Sequence, residues 1–233
     1  IGKSSSTNEI RRSIVKLKDI DSPLLISGEF GVGKKLLARI IHNEGKRGLN
    51  NFIVVPCKGI DEQEVNAKIF GSQDKPSALE ECKGGTVVFE EIGFLSLDQQ
   101  VKLLKVLKER RHPHSNITLD VRTIFTSSQD LKKMSQTDGE FNFELYNYIQ
   151  ESILVVDPLR KRPEDIESLT SYFLRKECRK QGLLLKEFSS DVLKQLKQYD
   201  WSGNVIELQQ AVQKAVLYNP KAHVINSLSK TGA

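Results

Sequence analysis

Short apolar runs alternate with amphipathic stretches through the first half of the chain. Leu24–Ser27, Phe52–Val55, Thr86–Phe89 and Val121–Thr126 are apolar, and either β-branched or bounded by turn residues, so they read as strands. Between them Lys34–His42 and Ser96–Arg110 read as helices, the second carrying Leu97, Val101, Leu104 and Leu107 on one face. This alternation predicts an α/β fold, a parallel sheet covered by helices. After the apolar run Ile153–Val156 the pattern changes. Asp157-Pro158 and Pro163 punctuate the chain, and only helical periodicity follows. Pro163 suits a first helical turn ahead of Glu164 and Asp165, and Ile166, Leu169 and Phe173 form the apolar stripe behind it. A second helix is capped at Ser189-Ser190 and runs towards Tyr199. A third starts at Asn204 with Val205, Leu208, Val212 and Ala215 inward. The expected division is an α/β core over 1–158 and a small all-helical domain over 159–233, ending in a polar tail.

Composition changes this picture only at its edges. With 38% apolar and 28% charged residues the 233-residue chain has enough material for a core, which excludes the disordered and collagen-like classes. No run of about 18 apolar residues is present, so no segment is expected to cross a membrane. The polar start from Lys3 to Glu9 is not a signal peptide, and a cytoplasmic location is expected. Starting at Ile1, the chain reads as a domain of a longer protein. Cys57, Cys82 and Cys178 have neither metal-knuckle spacing nor an even count, and packed, reduced thiols are the simplest reading. A net charge of +5 permits a polyanionic ligand without pointing to one.

Two segments carry chemistry. Gly28-Glu29-Phe30-Gly31-Val32-Gly33-Lys34 fits G-x-x-x-x-G-K, follows a strand and opens a helix. Glycines let backbone N–H groups wrap a phosphate chain, the helix N-terminus adds positive potential, and Lys34 reaches the β- and γ-phosphates. Lys35 stands where many P-loops place Ser or Thr on magnesium. Further along, Gly84-Gly85-Thr86-Val87-Val88-Phe89-Glu90-Glu91-Ile92 is a buried strand ending in two carboxylates. Beside a P-loop such a pair holds magnesium and orients the attacking water, with Glu90 on the metal side and Glu91 polarising the water.

These segments resemble the Walker A and Walker B motifs in the central AAA+ domain of bacterial enhancer-binding proteins, the activators of sigma-54 RNA polymerase. The resemblance runs almost end to end. Leu103–Glu109 is similar to the helix after Walker B, Pro158–Ile166 to the entry of the helical lid, and Tyr199–Leu208 to the sensor II segment. It implies an AAA+ P-loop NTPase core with a helical lid, ATP or ADP with magnesium as cofactor, and self-association as a dimer or ring. It also implies contact with RNA polymerase, and DNA binding through a helix-turn-helix outside this chain. Ile1-Gly2 resembles the segment that lines the adenine, with Gly203-Asn204 closing over it from the lid. Arg39 matches a position often filled by Arg, and some relatives bind cyclic di-GMP near Walker A with an arginine there. A surface salt bridge or helix-face role is the alternative for Arg39.

The departures carry as much weight. The G-A-F-T-G-A loop that touches sigma-54 belongs between Phe70-Gly71 and Gly84-Gly85, where only Ser72–Lys83 stands. Glu90 replaces the usual Asp, one methylene longer, and Pro56 replaces the Asn that restrains the catalytic glutamate. Ser128 stands at the sensor I Asn, Asn142 and Tyr148 at the two arginines given to a neighbour's ATP, and Ile206 at the sensor II arginine. His112 and His114 flank Pro113 and read as a solvated loop rather than a metal site, and Trp201 as lid packing. The expectation is a regulatory domain of a bacterial transcription regulator that binds ATP, ADP or cyclic di-GMP to control oligomerisation, hydrolyses little ATP, and is not a conventional sigma-54 activator. A working ring ATPase and a scaffold with an empty P-loop are the alternatives.

Overall fold

A computed structural model describes residues 1–72, 75–111 and 118–226, so His112, His114 and the polar tail after Asn226 lie outside the described residues. The chain divides into two compact units, and neither is one stretch of sequence. The sheet unit holds Arg12–Gly28 and Lys34–Val155; the helical unit holds Ile1–Arg11, Glu29–Gly33 and the chain from Val156 onward. The helical unit thus takes in the N-terminus and the middle of the glycine-rich loop.

In the sheet unit, β1 (Leu24–Ser27), β2 (Phe52–Pro56), β3 (Thr86–Glu90), β4 (Arg122–Ser127) and β5 (Ser152–Val155) form one five-stranded sheet in the order β2-β3-β4-β1-β5. Every pairing is parallel, with Leu24 opposite both Ile124 and Ser152, and Val88 opposite both Val54 and Ile124. Central strands of a parallel sheet are covered on both faces, which is why they read as unbroken apolar runs. Val87, Val88, Phe89, Ile124 and Phe125 are fully buried, and the Phe89 and Phe125 rings stack. The chain's first helix, α1 (Ser5–Leu17), runs through both units, while α2 (Lys34–Glu44), α3 (Glu62–Phe70) and the single turn α4 (Ala78–Glu81) belong to the sheet unit. So do α5 (Leu97–Glu109), the short α6 (Leu131–Lys133) and α7 (Phe143–Ile149).

The helix after β3 has a different inward face from the predicted one. Leu103, Leu104, Val106 and Leu107 are buried, whereas Leu97 and Val101 are half exposed. Two glutamines displace the stripe. Gln99 closes a capping box with Ser96, and buried Gln100 donates to the Leu95 carbonyl at 2.7 Å while accepting from the Asn142 N–H at 2.6 Å. Satisfied amides are tolerated inside, and Leu97 and Val101 on either side of them are left outside. Opposite the chemistry-bearing end of the sheet, buried Arg122 donates to the carbonyls of Leu17, the last residue of α1, and of Lys18 just after it, both at 2.6 Å. That satisfies C-terminal groups the helix cannot pair itself.

The helical unit packs α8 (Glu164–Lys180), α9 (Ser190–Gln198) and α10 (Asn204–Tyr218), with a two-residue ladder of β6 (Glu187–Phe188) and β7 (Val224–Ile225). Its core contains Ile166, Leu169, Phe173, Leu208, Val212 and Ala215, as the periodicity predicts. Trp201 is buried there and donates its indole N–H to the Leu196 carbonyl at 2.7 Å. Among the described residues no helix is long and apolar enough to cross a membrane. The three cysteines are free and buried, and burial pushes the Cys57 thiol up to about 12.

Candidate functional site

The sheet unit brings the two carboxylates and the two lysines of the glycine-rich loop together. The loop leaves β1 at Gly28, whose N–H donates to the Ser127 carbonyl at 3.2 Å, and ends at Lys34, the first residue of α2. Lys34 is buried; its ammonium donates to the Gly28 carbonyl at 2.8 Å and pairs with Glu91 Oε1 at 3.0 Å. Glu91 follows β3 in a left-handed conformation, φ 60°, a sparsely populated region for a residue with a Cβ. Its neighbours hold it there. The Glu91 N–H donates to Thr126 Oγ1 at 3.1 Å, and the Ser128 N–H and hydroxyl donate to Glu91 Oε2 at 2.8 and 2.7 Å. Burial alone would push the Glu91 carboxyl up, but the Ser128 hydrogen bonds and the Lys34 ammonium outweigh it and hold the group below its ordinary value.

Glu90, one residue earlier, points elsewhere. Its carboxylate meets the Lys35 ammonium at 3.0 Å, a pair that is partly open to solvent. In register across the sheet from Glu90 stands Pro56, and the Cys57 N–H donates to the Glu90 carbonyl at 2.8 Å. Among the described residues no three His, Cys, Asp or Glu side chains gather into a metal-binding group. Arg39 lies with its guanidinium over the Phe52 ring, 4.3 Å from the centroid, a cation–π contact with the neighbouring strand.

The helical unit holds the middle of the loop by its carbonyls. Fully buried Asn204 donates from Nδ2 to the Phe30 carbonyl at 2.9 Å and to Glu29 Oε2 at 3.2 Å, while its Oδ1 accepts from the Leu159 N–H at 2.8 Å. The Val205 N–H donates to the Gly31 carbonyl at 3.0 Å, and Arg162 donates to the Val32 carbonyl at 3.2 Å. In a planar trans peptide the next N–H points opposite to the carbonyl. With three consecutive carbonyls turned towards Asn204, Val205 and Arg162, the N–H groups of Gly31, Val32 and Gly33 face the other way. Such a run of amides, two of its residues with positive φ (Gly31, 80°; Gly33, 104°), makes an anion cradle. Gly31 admits no side chain in any case, because a Cβ there would lie 2.2 Å from the Gly203 carbonyl oxygen. Arg160 grips Glu29 with both guanidinium nitrogens. That contact first, with Asn204 assisting, takes the Glu29 carboxyl down to about 2.

At the N-terminus Ile1 is exposed, and Gly2, φ 124°, leaves room for Asp165, whose Oδ1 would be 2.7 Å from a Cβ at that position. Asp165 accepts from the Lys3 and Ser4 N–H groups at 2.6 and 2.8 Å and from the Ser4 and Thr7 hydroxyls at 2.8 and 2.5 Å. The positions that resemble arginine fingers do structural work. Asn142 caps α7, accepting from the Leu145 N–H at 2.8 Å, and half-buried Tyr148 donates to the Leu107 carbonyl at 3.4 Å. Ile206 is exposed.

Residues 1–154 match the sigma-54 interaction domain and residues 160–228 the AAA+ ATPase lid domain. The chain belongs to the sigma-54 interaction domain family. It is 32% identical over 234 residues to the DNA-binding transcriptional regulator NtrC of Rhizobium meliloti, covering 95% of this chain and 48% of that protein. It is 33% identical over 230 residues to the C4-dicarboxylate transport regulator DctD of Pseudomonas aeruginosa, covering 93% and 50%. The chain thus spans about half the length of these relatives. NtrX of Brucella abortus has a similar structure, with TM-score 0.91 and 26% identity over 99% of this chain and 55% of that one. NtrX has also been solved with ATP, at TM-score 0.91 and 27% identity.

Within this family the sequence located the loop, both carboxylates and the lid entry. It missed what restrains Glu91, taking the restraint as lost with Pro56, whereas Ser128 supplies it. Nor did it place Arg160 and Arg162 at the loop, or Asp165 at the N-terminal segment. Their partners lie 131, 130 and 162 residues away respectively, beyond the reach of any local pattern.

Proposed function

We propose that this chain is the nucleotide-responsive regulatory domain of a bacterial transcription regulator, binding ATP or ADP at the glycine-rich loop with little turnover. The observation that carries this reading is the loop itself, its amides turned outward and Lys34 at the start of α2. An anion there gains backbone hydrogen bonds, the helix N-terminus and one ammonium. The NtrX complexes with ADP and ATP support it, because their fold covers this chain almost entirely.

Hydrolysis needs more than binding. Arginine fingers contribute about 10³–10⁵ in rate in comparable phosphoryl transfers, and neither Asn142 nor Tyr148 can supply that charge. Glu91 keeps the geometry of a water-polarising base but spends its carboxylate on Lys34 and Ser128. The bound nucleotide would then act by shifting self-association, and through it the polymerase and DNA contacts of the whole regulator. Arg39 engages Phe52 through its guanidinium face, and cyclic di-GMP would be taken at the same glycine-rich loop.

Calorimetry with ATP, ADP and cyclic di-GMP, paired with steady-state phosphate release at high protein concentration, tests this. Heat of binding with ATP and ADP, a change of mass on their addition, and no phosphate release are expected. Turnover that vanishes in Lys34→Ala would replace this reading with the working ATPase. No heat with any nucleotide would leave the scaffold.

A further inference from the structure

We infer that the loop takes its nucleotide without a divalent metal, the Lys35 ammonium standing where the ion would be held. This rests on the nucleotide reading above and deepens it by naming the ligand: a metal-free nucleoside di- or triphosphate.

Two departures from the usual pattern carry the inference, and they meet in space. A P-loop metal site takes a Ser or Thr hydroxyl at the position after the lysine, and an acidic side chain at the end of the second motif strand. Here the first is Lys35 and the second Glu90, one methylene longer than the usual Asp. They lie 55 positions apart in the chain, and Lys35 Nζ sits 3.0 Å from Glu90 Oε2. A protonated lysine has three donors and no acceptor, so it cannot ligate a metal. A magnesium ion demands six close oxygens at about 2.1 Å in octahedral array, and an ammonium on the one carboxylate meant for it both occupies an oxygen and repels the ion.

The charge balance agrees. The two carboxylates that end the β3 motif, Glu90 and Glu91, face two cations, Lys34 and Lys35, each lysine 3.0 Å from one carboxylate. These two carboxylates and two ammonium groups therefore balance, and the pair leaves no net negative charge to recruit a dication. The donor set present therefore does not fit magnesium. It fits a polyphosphate, because both ammonium groups can turn from carboxylate oxygens to phosphate oxygens on side chains rooted in the first turn of α2. Lys35, more than half exposed, is free to make that turn at little cost.

The test is calorimetric titration of the chain with ATP and with ADP, in excess magnesium and in EDTA, repeated on Lys35→Ser, which restores the usual hydroxyl. For the parent chain the two conditions should give dissociation constants within about threefold of each other; for Lys35→Ser, magnesium should tighten binding by about tenfold or more. Tenfold tightening by magnesium in the parent overturns this inference and leaves the nucleotide reading standing. A Lys35→Ser protein as indifferent to magnesium as the parent overturns the role given to Lys35. Absence of binding in both conditions overturns the nucleotide reading and this inference together.

Discussion

Asp165→Ala should be among the costly single changes in the helical unit. Asp165 is fully buried and accepts four hydrogen bonds, from two backbone N–H groups and two hydroxyls of the N-terminal segment. Asp165→Ala strips all four donors of their acceptor. The Ser4 and Thr7 hydroxyls can rotate towards other acceptors, but the Lys3 and Ser4 N–H groups cannot move without the chain. Leaving a buried donor without its acceptor costs about 1–3 kcal/mol, so the two fixed N–H groups together cost about 2–6 kcal/mol. Asp165→Asn keeps the shape and one acceptor oxygen but turns an NH2 towards donors, and should cost about 1.5–3 kcal/mol, the worth of one bond to a charged group.

Urea unfolding followed by tryptophan fluorescence is the assay, since Trp201 is the chain's single tryptophan and is buried in this same unit. The pH profile adds a sign. Burial would raise the Asp165 carboxyl, but the Thr7, Ser4 and Lys3 bonds outweigh it and hold it below its ordinary value. The unfolded chain therefore takes up this proton first, at about pH 3.9, so the contribution is present above that pH and is lost as pH falls towards the lower folded value. A loss under about 1 kcal/mol for Asp165→Ala, smaller than one hydrogen bond to a charge, would refute the reasoning.

Gly31→Ala meets both a positive φ and the Gly203 carbonyl at 2.2 Å, whereas Gly33→Ala meets a positive φ and no atom within 4 Å. Backbone strain of this kind costs about 1–3 kcal/mol, so urea midpoints should fall for both and further for Gly31→Ala; equal losses would count against the packing of the loop on Gly203. His42 is buried, its Nδ1 2.9 Å from Thr86 Oγ1. Burial, reinforced by the Arg39 and Arg122 charges and opposed by a backbone bond at Asn50, puts its pKa below the ordinary 6.5. The unfolded chain protonates it first, so stability should be level above about pH 6.5 and fall as pH drops below it, a slope that urea midpoints of His42→Gln should lack.

Strands β1 to β4 were legible because a parallel sheet buries both faces and leaves an unbroken apolar run, as in Thr86–Phe89, whereas the two-residue β6 and β7 fall where only helices were expected. The lid helices were legible because Ile166, Leu169 and Phe173, or Leu208, Val212 and Ala215, keep one period throughout. Helices α1 and α3 were not. In Ser5–Leu17 only Ile10 and Ile14 are buried apolar residues, and in Glu62–Phe70 only Val65 and Ile69, too few to define a face among polar neighbours. The inward face of α5 was displaced because buried Gln99 and Gln100 carry no apolar signal and are admitted by bonds to Ser96, Leu95 and Asn142. At the site, motifs of consecutive residues were readable and long-range pairs were not. Glu91–Ser128 spans 37 positions and Lys35–Glu90 spans 55.

The loop and the side chains that would serve hydrolysis depend on different parts of the molecule, which in the function proposed above lets binding and turnover be separate. The loop's shape comes from glycine backbone, from Asn204 and Arg162, and from a backbone N–H at Val205, none of which takes part in cleaving a phosphate. The positions that differ from the resembled pattern have structural contacts of their own. Asn142 caps α7, Tyr148 reaches the Leu107 carbonyl, Ser128 restrains Glu91, and Lys35 neutralises Glu90. A residue so engaged no longer drifts freely, because changing it leaves an orphaned helix N–H, an unheld carboxylate or an uncompensated charge. In the function proposed above, the glycine-rich loop would serve as an anion site while Asn142 and Tyr148 serve the packing of the fold.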